Sequence, residues 1–80
     1  MAKIPTREES GRKILAIYNQ DGVRVGEMIQ WQSLHPRFTE DSHWRTVDFD
    51  AGIQWCIERG FLEERTPKMY FLTESGFAEA

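Results

Sequence analysis

In the last third of the chain, apolar residues recur with the spacing of a helix. The repeating apolar residues there are Phe49, Ile53, Cys56 and Ile57. Their spacing places them on one face of a helix, which we predict over residues 47–59. Gly60 follows at once, and a glycine can take the left-handed conformation that ends a helix. We therefore expect this helix to stop at Gly60.

Beyond Gly60 the pattern predicts two strands joined by a turn. Residues 61–65 and 68–72 are rich in apolar and β-forming residues, and Thr66 and Pro67 interrupt them. We expect a β-hairpin. The short run Val23 to Val25 is too brief to stand alone, so we predict that it pairs with the hairpin as a third strand.

Two further helices are predicted in the first half of the chain. Thr6 and Glu9 have the spacing of a capping box, so the first helix should begin near Arg7. The second should run from Gly26 to about Leu34, with Pro36 ending it.

Residues 35–46 fit neither neighbouring helix, because Phe38 and Trp44 fall off the apolar stripe of the helix that follows. We predict an enlarged turn there. The third helix should then begin near Val47, with Thr46 or Asp48 as its cap.

Composition limits the chain to a single small domain. With 80 residues, 40% hydrophobic and 29% charged, we expect one domain over residues 1–80, a core over about 7–78 and a flexible lead-in over 1–5. Neither a secretory signal nor a run of about 20 apolar residues is visible, so we expect no membrane segment and a cytoplasmic location. Cys56, the one cysteine, belongs to the apolar stripe and is expected in the core.

The order helix, short strand, helix, helix, hairpin resembles the winged helix-turn-helix domains of bacterial regulators. The resemblance rests on Ile53 and Cys56 before Gly60-Phe61-Leu62, and on Leu72-Thr73 and Gly76 beyond the hairpin. It covers about residues 12–78 and implies a small α+β fold of three helices, a short strand and a C-terminal hairpin that forms the wing. It carries weaker information about function than about fold.

In DNA-binding members of this superfamily, the third helix enters the major groove and the wing reaches the phosphate backbone. By position, the resemblance implies double-stranded DNA as a partner, contacted by helix 47–59 and a wing at 65–68. The implied nucleic-acid-binding residues are Arg37, His43, Arg45, Gln54, Arg65 and Lys68. They would supply phosphate contacts and one amide for base readout.

The charge distribution favours an alternative role. The net charge is −3, with residues 1–20 at +2, residues 21–60 at −3 and residues 61–80 at −2. A DNA duplex repels an acidic face. The alternative is a protein-interaction or dimerisation module with an acidic face on the third helix, made of Asp48, Ala51, Trp55 and Glu58. Trp55 is predicted to point away from the core, where it either centres that contact or is buried beneath the wing or the N-terminal segment.

Catalysis and metal binding have little support. His35 and His43 lack the ligand spacing of a zinc site, and no nucleophile, base or glycine-rich phosphate loop is recognisable. We therefore expect neither an enzyme nor a bound cofactor.

Overall fold

The computed structural model describes residues 4–40 and 44–80, and within them it contains four helices and one three-stranded antiparallel sheet. The elements are α1 (Arg7–Gln20), β1 (Met28–Gln30), α2 (Trp31–Phe38), α3 (Thr46–Glu58), β2 (Leu62–Thr66), β3 (Met69–Leu72) and α4 (Glu74–Glu79). The strand order is β1-β3-β2. The predicted α+β class is confirmed, with a fourth, six-residue helix after the hairpin.

Helix α1 begins where the capping box predicts. The Thr6 hydroxyl accepts a hydrogen bond from the Glu9 backbone N–H at 3.0 Å, and the Glu9 carboxylate accepts one from the Thr6 N–H at 2.9 Å. Two backbone donors that a helix start leaves without partners are thereby satisfied.

The third strand of the sheet exists, but its predicted position is wrong. It lies at Met28–Gln30 and pairs with β3, placing Ile29 opposite Tyr70. Gly26, with a φ of +85°, forms a turn before the strand instead of opening a helix. Burial explains the shift, because Ile29 is 8% exposed whereas Val25 is 45% exposed.

Helix α2 also begins later than predicted, at Trp31, and continues past Pro36 to Phe38. Leu34 and Phe38 lie four residues apart on its inner face, and both are fully buried. Packing of these two side chains outweighs the local preference of proline for a helix end.

Helix α3 starts one residue before the prediction, and neither Thr46 nor Asp48 is its N-cap. Arg45 holds that position, and its backbone N–H donates to the Asp48 carboxylate at 3.0 Å. The other end agrees with the sequence, since Gly60 follows α3 with a φ of +77°. The enlarged turn before α3 lies partly outside the described residues.

Strands β2 and β3 form the predicted hairpin. Leu62 pairs with Leu72, and a register shift between Glu64 and Thr66 precedes the turn. Pro67 and Lys68 occupy that turn, and Lys68 has a φ of +68°, as the third residue of a type II turn requires.

The core lies between α1, α3 and the sheet. Its buried apolar side chains include Ile14, Tyr18, Leu34, Phe38, Phe49, Cys56 and Leu72. The Tyr18 hydroxyl donates to the backbone carbonyl of Tyr70 at 2.7 Å, joining α1 to the sheet. Helices α1 and α3 pack so closely that a Cβ on Gly52 would lie 2.7 Å from the backbone carbon of Ser10. The outer side of α3 is left uncovered by this arrangement.

Candidate nucleic-acid interface

Helix α3 presents a continuous exposed arc. The arc contains Val47, Asp50, Gln54 and Glu58, with Ala51 partly covered among them. Val47 is 60% exposed, which is unusual for a β-branched apolar residue on a helix. Gln54 therefore lies where the sequence predicts it, and its amide is available to a partner.

Trp55 does not belong to this arc, because its side chain is buried: of its two predicted positions, the exposed contact is wrong and burial is confirmed. Its side chain is 8% exposed and packs beneath α1, where a Cβ on Gly11 would overlap the indole. Trp55 is six residues after Phe49, which places it about 240° away around the helix axis. Measured in the other direction, the angle is about 120°. Because Gly11 and Gly52 allow α1 to approach on that side, the buried arc of α3 extends to include Trp55.

The indole of Trp55 is enclosed by further side chains. The Arg12 and Arg59 guanidinium carbons lie 5.6 and 5.4 Å from its ring centroid, and Phe61 meets it edge to face. Trp55 is thus a structural residue of the α1–α3 contact.

The other residues of the predicted acidic face are dispersed. Asp48 is 5% exposed and caps the start of α3. Glu58 is exposed and forms an ion pair with Arg7 of α1 at 2.9 Å. Only Ala51 and Glu58 remain accessible from that set, and they do not surround an exposed aromatic ring.

A row of side chains connects the start of α3 with the hairpin turn. The Thr46 hydroxyl lies 2.9 Å from His35 Nε2, and the His35 ring stacks on Trp31 at 4.4 Å between centroids. On the hairpin, the Lys68 ammonium lies 5.2 Å from the Trp31 ring centroid. The Trp31 backbone N–H donates to the Lys68 carbonyl at 3.0 Å. We call the surface that carries Thr46, His35, Trp31 and Lys68 the α2–turn face.

Of the predicted DNA-contacting cations, Lys68 belongs to this face, Arg45 directly precedes Thr46, and Arg65 lies on β2. Arg45 stands at the start of α3 and pairs with Asp48 at 3.4 Å. Arg65, on β2, pairs with Glu63 at 2.9 Å and lies 4.6 Å from the Phe71 ring centroid. All three side chains are exposed. The Arg65–Glu63 pair is exposed on both sides and contributes about 0–1 kcal/mol, so a phosphate can replace the Glu63 carboxylate at small cost.

Arg37 lies elsewhere. It is at the last turn of α2, where it pairs with Asp21 and donates to the Gln20 side-chain oxygen at 3.3 Å, both at the end of α1. His43 lies outside the described residues.

Sequence reasoning missed Trp31 and His35 as members of the candidate interface. They are four residues apart, which on a helix brings two rings into contact. That signal was available, but the predicted second helix ended at Leu34 and so separated the pair.

A pocket of about 290 Å³ opens beside Trp31. It lies between the β1–α2 junction and the hairpin turn. Its lining residues are Gln30, Trp31, Gln32, Pro67, Lys68 and Met69. The α2–turn face thus combines a cation, two amides and a partly buried indole around an open depression.

The most strongly perturbed titratable groups lie in the core instead. Burial raises the pKa of the Cys56 thiol to about 12, and its Sγ lies 3.5 Å from the Gly11 carbonyl. Burial likewise raises the pKa of the Tyr18 hydroxyl. A thiol so protected is a poor nucleophile.

The described residues hold neither a metal-binding cluster nor a membrane-spanning helix. Over 4–40 and 44–80, no group of three or more His, Cys, Asp or Glu side chains is placed to hold a metal ion. No helix in those same ranges has the length and apolar character needed to cross a membrane.

Comparison of the chain with protein-family models, with curated proteins and with solved structures gives no match.

Proposed function

We propose that this chain is a winged-helix module that binds duplex DNA with the exposed arc of α3 and the α2–turn face. The order α1-β1-α2-α3-β2-β3 and the strand order β1-β3-β2 support the winged-helix assignment. The hairpin is then the wing and α3 the helix that enters the major groove.

One observation carries the proposal: a continuous row from Thr46 through His35 and Trp31 to Lys68. It joins the start of α3 to the tip of the hairpin, the two parts that would meet one duplex. Phosphate contacts position a protein on DNA, and amides or cations read base edges. Arg45, Arg65 and Lys68 would serve the first role and Gln54 the second.

The overall net charge of −3 opposes binding, so the proposal depends on the local distribution of charge. Helix α3 itself carries no Lys or Arg, so the cations of the proposed site lie at the start of α3 and on the hairpin. We therefore expect weak binding dominated by a few phosphate contacts, with no catalytic step.

The experiment is fluorescence anisotropy with a labelled duplex over a range of salt concentrations. Each lost phosphate contact lowers the slope of log K against log salt by about 1. Lys68→Gln and Arg65→Gln should each do so. The matched control is Arg37→Gln, which removes a cation on the far side of α2 and should leave the slope unchanged. Binding that is absent at low salt, or equally weakened by Arg37→Gln, would refute the proposal.

A second candidate, a module that docks on a basic protein, is favoured by the acidic arc of α3. Asp50 is exposed there with Val47, and no basic side chain of α3 offsets it, whereas the exposed Glu58 pairs with Arg7 of α1. A Lys-rich peptide would then shift the amide resonances of these residues, and duplex DNA would leave them unmoved. The opposite result favours DNA binding.

A further inference from the structure

The pocket beside Trp31 has walls of two kinds. Trp31, Pro67 and Met69 supply apolar surface, whereas Lys68 and the amides of Gln30 and Gln32 are polar. Pockets for small molecules commonly have volumes of about 300–1000 Å³, with apolar walls and a few polar groups that fix orientation. At about 290 Å³ this one suits a ligand at the small end of that range.

The charge at the rim of the pocket comes from Lys68, which forms no ion pair within residues 4–40 and 44–80. Arg45 and Arg65 each pair with a carboxylate. The Lys68 ammonium, by contrast, has no ion pair among the described residues and lies over the Trp31 ring. The Glu64 carboxylate accepts from the Lys68 backbone N–H at 3.2 Å, but Glu64 is not among the residues that line the pocket. A positive charge beside two amides favours an anion.

The backbone of Lys68 also indicates that its side chain matters. The third residue of a type II turn needs a positive φ, and glycine or asparagine normally holds it. A residue with a Cβ costs about 1–2 kcal/mol in the left-handed region. Lysine has that conformation here, with a φ of +68°, and projects its ammonium over Trp31.

We propose that this pocket binds a small organic anion. The phosphate or carboxylate group of the ligand pairs with Lys68 and accepts hydrogen bonds from the amides of Gln30 and Gln32. Its apolar part lies against Trp31, Pro67 and Met69. This binding does not require that the chain bind DNA. Where both occur, the ligand engages Lys68 and weakens DNA affinity.

The test is an NMR titration of the full chain, without DNA, with phenyl phosphate, benzoate and the neutral benzyl alcohol. Both anions should give saturable shifts of the Trp31 indole N–H and of amides in residues 30–32 and 67–69. The neutral probe should bind at least about tenfold more weakly, a difference of about 1.4 kcal/mol. Comparing the two anions shows whether phosphate or carboxylate is preferred.

The Lys68→Gly variant tests the effect of the Lys68 charge without disturbing the turn. Glycine suits the positive φ, so the turn should persist, and anion binding should fall at least about tenfold. Lys13→Gln is the matched control, because the Lys13 ammonium also lies over a tryptophan, 5.0 Å from the Trp44 centroid, but outside the pocket. This control should bind like the unaltered chain.

Two outcomes would overturn the inference. One is the absence of saturable shifts at anion concentrations up to about 20 mM, well above a dissociation constant of about 1 mM for a weak ligand. The other is unchanged anion affinity in a folded Lys68→Gly variant. Loss of DNA binding alone leaves the anion result standing, so the two proposals fail separately.

Discussion

Trp55 and Trp31 are built into opposite sides of this domain in different ways. Trp55 is 8% exposed and fills the contact between α1 and α3, where Gly11 and Gly52 leave room for it. Trp31 is only partly buried, stacked on His35 at 4.4 Å and capped by the Lys68 ammonium. One ring is enclosed by the fold, whereas the other lies at the edge of an open pocket.

The difference shows which side of the molecule maintains the fold and which is available for binding. The α1–α3 contact is close-packed, and its perturbed groups, Cys56 and Tyr18, are shielded from solvent. The α2–turn face carries the exposed Lys68 ammonium and opens on a pocket lined by Gln30 and Gln32. Substitutions on the first side should therefore change stability, and those on the second should change binding.

The largest expected effect is the difference in unfolding free energy between alanine variants of the two tryptophans. We expect Trp55→Ala to lower the free energy of unfolding by about 3–5 kcal/mol, the range for a buried aromatic residue. Trp31→Ala should cost about 1–2 kcal/mol, because less of its surface is buried. Urea denaturation of both variants measures this, and equal losses would contradict the contrast between the two sides.

Adding one methyl group tests the close approach of α1 and α3. In Gly52→Ala the new Cβ would lie 2.7 Å from the Ser10 backbone carbon, so backbone must move. Overpacking of this kind costs about 1–3 kcal/mol. Gln54→Ala, two residues away on the exposed arc, is the control and should change the unfolding free energy by less than about 0.5 kcal/mol.

Alkaline pH should lower the free energy of unfolding through ionisation of the buried Cys56 thiol. Burial raises the pKa of this thiol to about 12 in the folded chain, above its ordinary value of 9.0. Stability from the protonated thiol is complete below pH 9 and is lost as pH rises from there towards 12. The expected loss is about 1 kcal/mol by pH 10.

Cys56→Ala provides the comparison, and its stability should fall less steeply between pH 9 and 10 than that of the unaltered chain. Tyr18 remains in both proteins, so its own raised pKa cancels. Identical slopes would mean that the thiol is not shielded in solution.

The smallest effect is expected at the hairpin turn. Lys68→Gly should raise the free energy of unfolding by about 0.5–1 kcal/mol, because glycine tolerates the φ of +68° that lysine does not. Thermal unfolding at matched salt measures the gain. A loss of stability would show that the contact of Lys68 with Trp31 raises the free energy of unfolding by more than the strained backbone lowers it.

Local signals in the sequence located several elements well. The Thr6–Glu9 capping box and the glycine after α3 act through neighbouring residues, so their effects follow from spacing alone. The hairpin likewise follows from residues that are close together in the sequence. The alternating Val23 to Val25 run was mistaken for the third strand, because the pairing that selects Met28–Gln30 comes from β3, about forty residues later.

The candidate site was harder to predict than the fold. Lys68 and Arg45 lie at the two ends of the row from Trp31 to Thr46, whereas Arg37 lies at the last turn of α2 against Asp21, since its position depends on where α2 begins. The position of Trp55 depended on Gly11, a residue on another helix. Contacts between elements distant in sequence decide both cases, and periodicity within one helix does not contain that information.

The most direct test of the central claim is a map of amide and indole resonances during titration with duplex DNA at low salt. The account predicts shifts in residues 30–32, 45–54 and 65–69 and in the Trp31 indole N–H. The Trp55 indole and the amides of residues 10–18 in α1 should stay in place. Shifts confined to α1, or no shifts at all, would contradict the assignment of binding to the α2–turn face.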